Sequence, residues 1–191
     1  MANTSSENIT KNLIQIIIEI CKQSKIKTIF LTDRSYFRCN NPKFTFFLKQ
    51  ANTLTSGQPY YYNYGMSYQA KLDKATSASG FKFTDINDHS NVKTNATVLS
   101  SLKTSDLNFK LFEELIKKRL EKYKTEFDNQ IINDTIEYVK EIYNKYLNKS
   151  ITKFLSKLKY KLCVVFSVIY FDLFELLGLK NYRTESRFER N

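Results

Sequence analysis

The sequence predicts an α/β chain of the α+β kind, with a small sheet-and-helix module over residues 1–104 and a basic helical extension over residues 105–191. Three observations carry that prediction. A helical apolar run at Leu13–Ile20 is followed by a short β-branched stretch at Ile26–Thr32 and a second apolar periodicity from Phe44 to Leu54. The segment from Met66 to about Thr104 is rich in Ser, Thr and Asn and interrupts both patterns. No proline follows Pro59, and apolar residues recur at helical spacing through the second half. With 42% hydrophobic and 15% aromatic residues in 191, the chain has surface enough to bury a core, which excludes wholesale disorder. Four Gly and two Pro exclude collagen-like and Gly- or Pro-rich classes.

The elements follow in order. Ser5-Ser6-Glu7-Asn8 offers side chains that cap free amides at a helix start. Leu13, Ile14, Ile16, Ile17, Ile18 and Ile20 are apolar on all sides, which predicts a helix packed on a sheet, ending in a polar turn at Lys22–Lys25. Ile26–Thr32 reads as a strand, and Asn40-Asn41-Pro42 as a breaker. Phe44, Phe47, Leu48, Ala51 and Leu54 predict a helix stopped by Ser56-Gly57-Gln58-Pro59. Short strands are expected at Met66–Ala70 and Phe81–Phe83, within an otherwise loop-rich connection. Asp106 is placed to cap a helix carrying Leu107, Leu111, Leu115, Leu120, Tyr123 and Phe127. A second helix carries Ile131 to Tyr146, and a third runs from Ile151 to Leu177 with Gly178 as its left-handed cap. Strand Ile26–Thr32 needs a partner for its ladder groups: Met66–Ala70, another chain, or cover from the helices.

Two short motifs occur in order: Leu31-Thr32-Asp33-Arg34-Ser35, then Leu54-Thr55-Ser56-Gly57-Gln58-Pro59-Tyr60-Tyr61, with Tyr62-Asn63-Tyr64-Gly65-Met66 closing the second. A helix, a strand, a helix and a tyrosine four residues before a glycine resemble the C-terminal half of a GNAT-type N-acetyltransferase. The stretch Asn8–Met66, about a third of the chain, resembles still more closely a divergent branch of that family in large cytoplasmic DNA viruses. The resemblance implies that Ile26–Thr32 is the fifth sheet strand and Phe44–Leu54 the helix after it. It also implies that Tyr61 occupies the place of the phenol that protonates the departing coenzyme A thiolate, a role suited to a donor of pKa about 10. Family members hold the pyrophosphate on a Gly-rich turn at a helix start. Residues 1–10 contain neither glycine nor arginine, and the four strands that would come first are missing from this sequence. The resemblance therefore implies a truncated, catalytically inactive scaffold with no cofactor. Acetyl-coenzyme A enters only on the alternative reading, an N-acetyltransferase completed by strands in 66–104 or by a second copy.

Lys plus Arg number 30 against 19 Asp plus Glu, a net charge of +11. Lys145, Lys149, Lys153, Lys157 and Lys161 recur every four residues, and no acid lies between Glu141 and Asp172. Each step of four turns about 40° around a helix, so the five predict one slowly winding ridge. Such a ridge suits phosphates of nucleic acid or anionic lipid heads. No zinc-finger spacing or RNA-binding motif accompanies it. The apolar run Leu162–Phe171 is too short for a bilayer, which needs about 20 residues. It predicts a buried helix, whose apolar surface could equally serve a subunit interface; a membrane-surface protein using residues 145–179 is the second alternative.

The remaining candidates point to little chemistry. His89 alone excludes a multi-histidine metal site and is read as a loop residue, so no metal is expected. Asp33 and Ser35 are read as turn residues at a strand end. Cys21, Cys39 and Cys163 are odd in number and widely spaced, which predicts unpaired, inert thiols in a reducing compartment. With no signal-type pattern in Met1–Thr10, that gives an intracellular expectation. The sequence thus predicts an accessory binding or structural protein, its basic helices turned to phosphate-bearing partners or to self-association as a homo-oligomer.

Overall fold

The computed structural model describes residues 4–26, 29–33, 35–41, 43–64, 67–69, 72–73, 82–83, 88–180 and 186–190. The fold is of mixed α+β class and dominated by helices. In chain order, α1 (Thr4–Gln23) leads to strands β1 (Ile29–Asp33), β2 (Tyr36–Arg38) and β3 (Thr45–Phe47). Helix α2 (Leu48–Ser56) and a 3-10 turn (Tyr60–Tyr64) precede the short strands β4 (Ser67–Gln69), β5 (Leu72–Asp73) and β6 (Lys82–Phe83). The helical half comprises α3 (Asp88–Ser101), α4 (Phe109–Leu120), α5 (Asn129–Tyr146), α6 (Ile151–Lys161) and α7 (Cys163–Leu176), and β7 (Ser186–Arg190) closes the chain. These elements form two units, each discontinuous in sequence: residues 1–33, 61–89 and 184–191, and residues 34–60 and 90–183. That division differs from the expected boundary at 104/105.

The first unit carries an antiparallel sheet in the order β1-β7-β4. β7 pairs with β1 from Ile29↔Arg190 to Asp33↔Ser186, and with β4 from Ser67↔Glu189 to Gln69↔Arg187. Strand β1 therefore finds its neighbour at the far end of the sequence, while Ser67–Gln69, from the expected partner stretch, pairs with the other side of β7. The ladder satisfies backbone groups whatever the side chains are, so the charged run Ser-Arg-Phe-Glu-Arg serves as a central strand. β5 pairs with β6; Met66, Ala70 and Phe81, which bounded the expected strands, lie outside the described residues. Helix α1 ends where the Lys25 N–H donates to the Lys22 carbonyl at 3.0 Å and the Ile26 N–H to the Cys21 carbonyl at 2.8 Å. Lys25 takes φ 55°, the left-handed position of that helix stop. On α1, Ile18 is buried but Leu13, Ile16, Ile17 and Ile20 are each about half exposed, so the helix has an inner and an outer face rather than cover on all sides.

The second unit starts with the β2–β3 hairpin, in register Tyr36↔Phe47, Phe37↔Phe46 and Arg38↔Thr45. Its turn is made at Asn40-Asn41: the Cys39 N–H donates to the Phe44 carbonyl at 2.9 Å, and the Lys43 N–H to Asn41 Oδ1 at 3.1 Å. The helix expected from Phe44 thus begins only at Leu48, because Thr45-Phe46-Phe47 extends and pairs instead. Phe46 is buried, its ring 5.3 Å from that of Phe166 and 6.0 Å from that of Tyr170 on α7. α6 packs against α2, α5 and α7, and α7 against α2, α4 and β3. Phe112, Ile116, Leu120, Ile151, Phe154, Leu155, Leu158, Phe166, Ile169, Leu173 and Phe174 are sealed from solvent between them.

Four local expectations are corrected here. The cap of α4 is Asn108, whose Oδ1 accepts from the Leu111 N–H at 3.2 Å, while Asp106 accepts from the Lys103 N–H at 2.7 Å in the preceding turn. The single helix expected over Ile151–Leu177 breaks at Leu162 (φ −128°, ψ 58°) into α6 and α7. α3 is a helix where loop was expected, and His89 lies in its first turn. Finally, Cys39 and Cys163 form a disulfide with Cα atoms 5.7 Å apart, leaving only Cys21 free. That bond removes the ground for reading a reducing compartment from the cysteines. Gly178 does take the left-handed cap conformation, at φ 65°.

Candidate nucleic-acid interface

Helix α6 divides cleanly into two faces. Ile151, Phe154, Leu155 and Leu158, at i, i+3, i+4 and i+7, are wholly buried against its neighbours. Lys153, Lys157 and Lys161, at i, i+4 and i+8, are all exposed. Tyr160 is the most exposed large hydrophobic residue among those described, at 64%. On helical geometry it projects about 20° outside the direction of Lys153, on the side away from Lys157, and the four side chains span about 100° of arc. Lys159 sits at the edge of this face, where its Nζ donates to Asn52 Oδ1 at 3.1 Å and stands 5.5 Å from the centre of the Tyr160 ring.

The predicted five-lysine ridge is not a single helix row. Lys145 lies in the last turn of α5 and Lys149 in the link to α6. The link is anchored from residues 102–105: the Thr104 N–H and hydroxyl both donate to the Lys149 carbonyl, at 2.9 and 3.1 Å. The Ile151 N–H donates to the Leu102 carbonyl at 3.1 Å, and the Ser105 N–H to the Leu147 carbonyl at 3.0 Å. These bonds fix where α6 starts and hence which way its lysines point. All five lysines are exposed, and among the described residues none of them forms an ion pair. Charge is therefore concentrated where a polyanion has access, and Lys159 and Lys161 also sit at the favourable C-terminal end of the helix dipole. Tyr160 went unread in the sequence, although its spacing of seven from Lys153 and three from Lys157 placed it there.

The other candidates are placed as follows. Tyr61 is half-buried in the 3-10 turn Tyr60–Tyr64, and Gly65 and Met66, which complete its expected motif, lie outside the described residues. Asp33 ends β1 opposite Ser186, and the Ser35 carbonyl accepts from the Leu48 N–H at 3.1 Å. Among the described residues no three acidic, His or Cys side chains gather to hold a metal. No described helix is long and apolar enough to cross a membrane, and in α7 Val165, Phe166, Ile169, Tyr170, Leu173 and Phe174 face the core. Asp172, the acid that follows the apolar run, pairs with Arg119 of α4. No family model, curated protein or solved structure matches this chain.

Proposed function

We propose that the protein is a binding protein that holds nucleic acid through the exposed face of α6. One observation carries the reading: Lys153, Lys157 and Lys161 stand unpaired among the described residues on one helix face, with the exposed Tyr160 ring along its edge. Lysines on a rigid row release counterions from phosphates, and an aromatic ring beside them adds a stacking surface. Lys145 and Lys149 extend the charge beyond the helix. The scaffold is read as acetyltransferase-like and without turnover; α1, β1, α2 and the tyrosine turn occur in the order that the resemblance implies, with the β2–β3 hairpin inserted between β1 and α2.

Binding of labelled DNA, followed by fluorescence anisotropy over a range of salt, tests the interface. Three phosphate contacts give a slope of about −2.7 in log affinity against log salt on duplex DNA. Reversing Lys153, Lys157 and Lys161 to Glu is expected to abolish that binding while leaving the thermal midpoint near that of the parent, since all three side chains are exposed. Unchanged binding by the reversed variant would reduce the row to ordinary surface.

A further inference from the structure

The pleat of the β2–β3 hairpin turns Tyr36, Arg38, Thr45 and Phe47 to one face, because Tyr36 stands opposite Phe47 and Arg38 opposite Thr45. With Phe46 and Tyr170 these four side chains line a hollow of about 320 Å³. Most of its wall is aromatic. Its polar groups are few and held in place: Arg38 Nη2 donates to the Tyr36 hydroxyl at 2.9 Å, and the guanidinium carbon lies 5.2 Å from the centre of the Tyr36 ring. Among the described residues no carboxylate pairs with Arg38. The guanidinium therefore keeps its remaining donors for an anion, in a fork that matches phosphate oxygens. The Tyr170 phenol is pushed up to about 12 by burial, so it stays neutral and adds no repulsion.

A single guanidinium at the rim and flat rings on the walls define the ligand class. We infer that this hollow receives one unstacked nucleotide, its base against Tyr36 and Phe47 and its phosphate on Arg38. The position fits the proposed interface: Cys39, next after Arg38, is bonded to Cys163, two residues beyond Lys161. The end of the hairpin is thereby joined to the end of the lysine row. This inference rests on the nucleic-acid reading of α6 for its polymer form, in which the partner is single-stranded because only an unpaired base leaves its stack cheaply. A free mononucleotide presents the same chemistry to the hollow.

Three probes separate these cases: a short single-stranded DNA oligonucleotide, the same sequence as a duplex, and adenosine monophosphate. Single-strand and duplex affinities are read by anisotropy, and adenosine monophosphate binding by calorimetry. Arg38→Gln and Tyr36→Ala are each expected to weaken single-strand binding about tenfold and leave duplex binding unchanged, whereas K153E/K157E weakens both. Tyr36 is about half exposed, so its truncation leaves the fold intact, and Tyr36→Phe, which keeps the ring, is expected to retain most of the affinity. Adenosine monophosphate heat that disappears in Arg38→Gln, without any polymer binding, would keep the hollow and remove the α6 reading. Single-strand affinity unaltered by both hairpin variants, with K153E/K157E still defective, would overturn the hollow and leave α6 standing. No binding of any of the three would overturn both.

Discussion

Gln50 shows how much depends on one side chain. It lies on α2 at 1% exposure, and neither Nε2 nor Oε1 meets a hydrogen-bond partner among the described residues. Its polar neighbours on the same helix solve that problem locally: the Thr53 hydroxyl donates to the Lys49 carbonyl at 3.0 Å and the Thr55 hydroxyl to the Ala51 carbonyl at 2.8 Å. A glutamine is too long to fold back in this way. A buried amide without partners costs about 1–3 kcal/mol, whereas Met fills similar space with no polar atom to satisfy. Gln50→Met is therefore expected to raise stability by about 1–2 kcal/mol, seen as a higher urea midpoint at an unchanged slope. Gln50→Glu should lower the midpoint, since a charge in the same place is harder to bury. A lower midpoint for the Met variant would mean that the amide is satisfied in solution.

At the scale of elements, the ends of helices do much of the fixing. Asn95 of α3 is wholly buried; its Nδ2 donates to the Lys180 carbonyl and its Oδ1 accepts from the Lys180 N–H, both at 2.8 Å. This amide links α3 to the segment leaving α7. Asn95→Ala removes both bonds and is expected to cost about 2–3 kcal/mol. Asn95→Asp keeps the acceptor but loses the donor, and its charge is buried, so it should fare no better; hydrogen exchange at Lys180 would show the released N–H. Retained protection at Lys180 in the Ala variant would show that other contacts hold the segment. The same helix explains the limits of sequence reading. α4 was legible as a helix but not in its face: of the expected Leu111, Leu115 and Leu120 only Leu120 is buried, and Phe112 and Ile116 fill the core instead. α5 was legible because Ile132, Ile136, Val139 and Ile142 repeat at helical spacing on a buried face. α3 was not, because Ser, Thr and Asn dominate it and its anchor is a polar residue. β7 was illegible for a different reason: its pairing comes from backbone groups supplied by residues more than a hundred positions away. Of the candidate interface, the lysine row could be read from spacing alone, but the break at Leu162 and the hairpin hollow depend on contacts that no local pattern encodes.

For the molecule as a whole, the Cys39–Cys163 bond is the covalent link between two sequence-distant parts of the second unit, the hairpin and the helices. Counting three cysteines pointed to unpaired thiols, yet parity says nothing about the two that folding brings together. The hairpin docks on the start of α7 because Phe46 inserts beside Phe166 and Tyr170, and this docking sets Cys39 against Cys163. With its ends 124 positions apart, the bond closes a long loop in the unfolded chain, and loop-closure entropy alone is worth about 5 kcal/mol. Some of that is lost wherever the unfolded chain keeps residual structure, so Cys39→Ser with Cys163→Ser is expected to lose about 3–5 kcal/mol. The wild-type protein in reductant should unfold at nearly the midpoint of that double variant, while the double variant itself ignores reductant. Cys21→Ser, which touches the one free thiol, should keep the full difference between oxidised and reduced protein. Equal midpoints for oxidised and reduced wild type would mean that apolar docking of Phe46 alone fixes the hairpin. In that case Phe46→Ala, which empties the space beside Phe166 and Tyr170, would be the change that frees it, at a cost of about 3–5 kcal/mol.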